Sequence, residues 1–149
     1  KGSHTVRKWQ RKHSLTQSPN GRLHSNPPHT EPAEETALNP VDPVQRQLDA
    51  YNAHDLDRFV AEYADDIQVF RPPQVAPVLA GKAAFAAHYA ANRFNLPRLH
   101  AVVEQRIVCG NKVVDHERIT GLQDAEVQAL AVYEVVGTTI RTVWFYAPA

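Results

Sequence analysis

With 149 residues and 43% hydrophobic side chains, the chain has room for one domain with a core of its own, and its 16 basic and 16 acidic residues cancel. A single cysteine, Cys109, excludes an internal disulfide and leads us to expect a reducing, cytoplasmic setting. No stretch approaches the roughly 20 consecutive apolar residues that cross a bilayer as a helix, so no membrane partner is expected.

The charge balance hides an uneven distribution. Residues 1–30 hold Lys1, Arg7, Lys8, Arg11, Lys12 and Arg22, four histidines and no acid, and residues 1–40 collect Pro19, Pro27, Pro28, Pro32 and Pro40. This segment is expected to be a disordered tail, with vector-derived or misassigned sequence as one origin, since Gly2-Ser3-His4 resembles a vector remnant. Its charges are not interleaved with aromatic or glycine residues beyond Trp9, so nucleic acid is not an expected partner. Residues 41–149 are read as the folded domain.

The first helix is expected at Asp42, as a cap, with Pro43 in the first helical position and Gln45 completing a capping box. Val44, Leu48 and Tyr51 continue it as one apolar stripe. Asn52–Asp55 breaks the helix, and Asp55 caps a second one whose face is Leu56, Phe59, Val60 and Tyr63, ended by Asp65-Asp66. A short strand follows at Ile67–Phe70, halted by Pro72-Pro73, then a loop over Gln74–Gly81. Lys82–Phe94 reads as a third helix. Beyond Pro97 the period changes to two, with strands His100–Cys109, Lys112–Thr120, Glu126–Val136 and Thr139–Ala147 joined by Gly110-Asn111, Gly121–Ala125 and Gly137-Thr138. The pattern predicts an α+β domain: a curved antiparallel sheet, four long strands plus a short one, wrapped as a cone around three N-terminal helices.

Several strings resemble the nuclear transport factor 2-like superfamily, in its SnoaL-like branch. They are Leu48–Asp57, Tyr63–Ile67, Gly81–Ala84, Val113–Arg118, Val132–Val135 and Ile140–Phe145, spread in order over residues 41–147. The resemblance implies the cone fold, and a family that includes proton-transfer isomerases, epoxide hydrolases, polyketide cyclases and non-catalytic binders. It does not carry over the catalytic sets of two subclasses. The three positions used by steroid isomerases fall on Gln47, Arg71 and Ala131, and a guanidinium cannot replace a carboxylate base. The acid positions of the epoxide hydrolases fall on Thr120 and Phe145, leaving Arg118 without a carboxylate partner.

Alternation then suggests a lining. Val114, His116, Arg118 and Thr120 are expected to face inward with Ala131, Tyr133, Arg141, Val143 and Phe145, while Glu117, Glu134 and Trp144 face outward. Two readings stay open. In one, His116 and Arg118 are catalytic, as acid–base group and anion stabiliser of a lyase, isomerase or cyclase. Tyr51, His88, Tyr89, Tyr133, Val143 and Phe145 then bind a small apolar or anionic organic ligand. In the other, His116 and Arg118 pair with Asp49, Asp115 or buried carbonyls and the domain is a non-catalytic interaction module with a filled cavity. Leu130, Trp144 and Tyr146 on the outer sheet suggest a homodimer. No metal-ligand spacing and no phosphate-binding loop is found, so no metal or cofactor is expected.

Overall fold

The computed structural model describes residues 38–148, so the expected tail lies outside the described residues except for Leu38, Asn39 and Pro40. Three helices, α1 (Val41–Asn52), α2 (Leu56–Ala61) and α3 (Lys82–Asn92), accompany six strands: β1 (Tyr63–Phe70), β2 (Leu79–Ala80), β3 (His100–Cys109), β4 (Lys112–Thr120), β5 (Val127–Val136) and β6 (Thr139–Tyr146). The strands form one unclosed sheet in the order β2-β1-β6-β5-β4-β3. All neighbours are antiparallel except β1 and β6, which run parallel. Register breaks at Tyr63/Gln68, Val103/Gln105 and Glu134/Val135 mark bulges, the standard means of curling a sheet. The α+β cone expected from the sequence is present, with β2 as an additional short strand inside the segment expected to be a loop.

The helix α1 buries the predicted stripe of Val44, Leu48 and Tyr51, together with Gln47. Its start differs from expectation. Pro40 is the N-cap residue, and Asn39 before it accepts from the Val41 backbone N–H through Oδ1 at 3.0 Å. Asp42 sits in the first turn, and the Gln45 side chain reaches down one turn to Asp49 (2.8 Å) instead of back to a cap. The Asp55 cap is as expected, accepting from the Arg58 backbone at 3.0 Å.

Downstream, Tyr63 does not extend the face of α2. It opens β1, where Tyr63 and Ile67 point into the core and Asp65 and Asp66 are exposed on the strand, near Lys82 and Arg141. The carboxylates therefore do not end a helix. Inside the cone, Tyr51, Phe59, Tyr63, Phe85, Tyr89 and Phe94 form one aromatic cluster, with Phe59 touching the other five at centroid distances of 4.8–5.8 Å. Such pairs add roughly 0.5–1.5 kcal/mol each beyond their buried area.

One glycine is sterically required. Gly121, at φ +74°, follows β4 where a Cβ would stand 2.0 Å from the Arg98 carbonyl oxygen.

Candidate functional site

Which face of β4 turns inward decides the chemistry of the cone. Pairing with β5 sets Val113 opposite Tyr133, Asp115 opposite Ala131 and Glu117 opposite Ala129, so the odd-numbered residues share the inner face. Val113, Asp115 and Glu117 are buried accordingly. The expected inward set of Val114, His116, Arg118 and Thr120 lies on the opposite face. His116 meets Gln128 at 3.1 Å, and Arg118 bonds Glu104 (2.5 Å) and Glu126 (3.1 Å) among half-exposed side chains. Neither pairs with Asp49 or Asp115. On β6 the alternation slips at the Glu134/Val135 bulge: Ile140 and Val143 point in, whereas Arg141 is exposed and bound to Asp66 at 2.8 Å. Of the residues expected outside, Glu117 is inside; Glu134 and Trp144 are indeed on the outer face, with Trp144 stacked on Phe70.

The cone holds an open-mouthed cavity of about 120 Å³. Tyr51, Tyr89, Tyr133 and Phe145 line it. Val143 is buried in the core, and His88 lines an adjoining space of about 120 Å³ that shares Arg71, Tyr89 and Phe145 with the first. His116 and Arg118 line neither.

Two polar systems occupy the inner face. Asp115, with no exposed surface, accepts a bidentate pair of bonds from Arg106 on the neighbouring strand, at 2.7 and 2.8 Å, and Arg106 also donates to Gln45. Glu117, 6% exposed, accepts from the Tyr133 hydroxyl at 2.8 Å through Oε1. Tyr133 in turn lies 3.4 Å from the Gln47 amide nitrogen, and Gln47 accepts from the Tyr63 hydroxyl at 3.1 Å. A chain Tyr63–Gln47–Tyr133–Glu117 thus links β1, α1, β5 and β4.

Glu117 is the one carboxylate among the described residues lining the cavity. Burial raises its pKa to about 7; the Tyr133 hydrogen bond opposes the shift, Asp115 adds to it and Arg106 opposes it. Its second oxygen, Oε2, makes no hydrogen bond to the described residues, and neither do the hydroxyls of Tyr51 and Tyr89. No fully buried side-chain N or O atom among the described residues is without a partner, so these three atoms keep open surface on the cavity their residues line. Burial pushes the Tyr51 phenol well above its ordinary range and that of Tyr89 to about 12, so both remain O–H donors at neutral pH. The arrangement offers a ligand two phenolic donors and one carboxyl group poised between its charged and neutral forms.

Glu117 was expected outside because the resemblance, extended by alternation, put Arg118 and the other even-numbered residues of β4 on the inner face. The signal that could have found it is long-range: Arg106 and Tyr133 supply the partners that make the odd face of β4 buriable.

Among curated proteins nothing matches the chain. Solved structures do. An uncharacterized cystatin fold protein from Novosphingobium aromaticivorans is similar at TM-score 0.64 and 24% identity, over 72% of this chain and 97% of that one. The Δ5-3-ketosteroid isomerase from a Mycobacterium species is similar at TM-score 0.63 and 23% identity, over 74% and 95%. A computationally designed 17-OHP binder gives TM-score 0.65 at 17% identity, over 75% and 94%. At these identities the likeness is one of fold. The sequence profile of the SnoaL-like domain matches residues 44–143, about two thirds of the chain, and with the six-stranded cone this places the protein in the SnoaL-like domain family of the nuclear transport factor 2-like superfamily.

Proposed function

We propose that the cone binds a small, largely apolar carbonyl compound and that Glu117 exchanges a proton with it. The observation that carries this reading is the convergence of three groups on one aromatic cavity: the Glu117 carboxyl, with one oxygen uncommitted, and the Tyr51 and Tyr89 hydroxyls. The phenols are suited to hold a carbonyl oxygen, and the rings around them to hold an apolar body. Ionised Glu117 removes a proton from the carbon next to the carbonyl, becoming a carboxylic acid. The electron pair of the broken C–H bond moves onto the oxygen as an enolate, which the phenols stabilise. Returning the proton to the same or a neighbouring carbon completes an exchange or an isomerisation. A base with a pKa near 7 suits that task at neutral pH. Solved cone proteins described as a ketosteroid isomerase and a 17-OHP binder support ligand handling in a cavity of this type. The role first expected of His116 and Arg118 passes to these cavity groups.

The test uses 2-acetylnaphthalene in D₂O. Calorimetry should record binding to the full chain that is lost in Ala129→Trp, which fills the cavity opposite Glu117. Proton NMR should show the methyl signal fading, at a rate cut about a hundredfold or more in Glu117→Gln. Binding without accelerated exchange reduces the protein to a carrier; absence of binding ends the proposal.

A second reading concerns the sheet exterior. Phe70, Trp144, Val132, Val114 and Ile107 sit opposite one another in register, an apolar row crossing five strands of the outer face. Covering such a row is the usual role of a second subunit, so this face is the proposed homodimer surface. Sedimentation of Ile107→Lys, as monomer against a dimeric parent, is the check.

A further inference from the structure

The mouth of the cavity differs in charge from its floor. Arg71, directly after β1, and Arg93, the C-cap residue of α3, both line it. The Arg71 guanidinium carbon lies 5.4 Å from the centroid of the Phe145 ring, which holds this exposed side chain against the cavity wall. Both cations act on the same neighbours. The basicity of His88 is lowered first by burial, then by Arg93 and Arg71, and the Tyr89 phenol is eased toward ionisation by the same two residues against the effect of its burial. Two guanidinium groups from separate elements thus line one cavity, that of Arg93 donating to the Asn92 carbonyl at 2.7 Å.

They are not engaged by acids. Arg46, Arg106, Arg118 and Arg141 each pair with a carboxylate, whereas Arg71 and Arg93 form no ion pair among the described residues. Glu117 does not serve them: Arg106 is the cation that bears on its ionisation. Exposed Arg71, half-buried Arg93, a set of buried aromatic rings and one buried carboxyl group thus line the same cavity.

From this difference in exposure we infer that Arg71 and Arg93 form an anion-binding subsite, and that the ligand is an amphipathic organic anion whose charged head rests at the exposed side while its apolar body enters the cone. The inference rests on the proposed ligand-binding reading and adds the class of ligand. Guanidinium forks match carboxylate geometry, and two of them at a half-open mouth confer a preference without the cost of burying the head group.

The experiment compares 2-naphthoate with 2-acetylnaphthalene, which matches its shape without the charge, by calorimetric titration of the full chain. The naphthoate should bind about tenfold more tightly, a preference that shrinks as salt is raised. Arg71→Gln with Arg93→Gln should erase the preference while leaving the affinity for the ketone intact, and Arg118→Gln should change neither. Equal affinities in the parent protein, or a preference that survives both substitutions or is unaffected by salt, overturns the subsite while the cavity reading stands. If neither compound binds, the cavity reading fails and the subsite falls with it. Salt dependence is read on the unaltered chain, so the outcome does not hang on how the variants fold.

Discussion

The two faces of β4 carry similar chemistry under opposite conditions. Outside, Arg118 bridges Glu104 and Glu126, and His116 meets Gln128, where solvent screens every charge. Inside, one strand position away, Asp115 and Glu117 are withdrawn from water, one held by Arg106 and the other by Tyr133. The difference teaches that a charge counts by its surroundings: the outer pairs decorate the sheet, whereas the inner ones set both the stability of the cone and the proton affinity of its cavity.

The sharpest break of that comparison is Asp115→Ala, which strands the Arg106 guanidinium against the inner face. The expected loss is about 3 kcal/mol or more by denaturant titration, the usual cost of removing one partner from a buried pair. Next is the pH dependence written into Glu117. Its pKa in the folded chain is raised from the ordinary 4.5 to about 7, so folding favours the protonated form. That benefit is complete below about pH 4.5 and is lost as pH climbs through 7, roughly 3 kcal/mol in all. Glu117→Gln should flatten this part of the stability curve, gaining on the parent protein at pH 8 and matching it most closely at pH 4. Tyr133→Phe should cost about 1–2 kcal/mol at neutral pH by removing the donor to Glu117, and should move the carboxyl titration upward, visible by NMR. Smallest is Arg118→Ala: on the exposed face the thermal midpoint should not move measurably. A large effect there would erase the distinction between the faces.

Much of the architecture was legible in the sequence. The stripe of Val44, Leu48 and Tyr51, the Asp55 cap and the change of period after Pro97 are local signals, and local signals fix local structure. The site was legible in part. Tyr133 and Phe145 were placed by strand alternation and Tyr51 by the apolar stripe of α1, and all three line the cavity. The facing of β4 was not, since Val113 and Val114 give both alternations one valine near the start, and the two carboxylates make the buried face look like the wet one. Arg141 escaped for a different reason. A bulge shifts the alternation by one residue, and period-two reasoning has no means of seeing it.

The turn at Asn52–Asp55 has a reach beyond its own residues. The Asn52 side chain accepts from the Ala101 backbone N–H at 2.8 Å and donates to the Ala101 carbonyl at 2.9 Å, and the His54 ring lies 2.9 Å from the Leu99 carbonyl oxygen. Ala101 belongs to β3, the strand at one free margin of a sheet that never closes on itself. The side chain of Asn52 thus behaves as a stray piece of backbone, a buckle fastening that loose margin to the end of α1. The clasp thereby helps to set the width of the hollow without lining it.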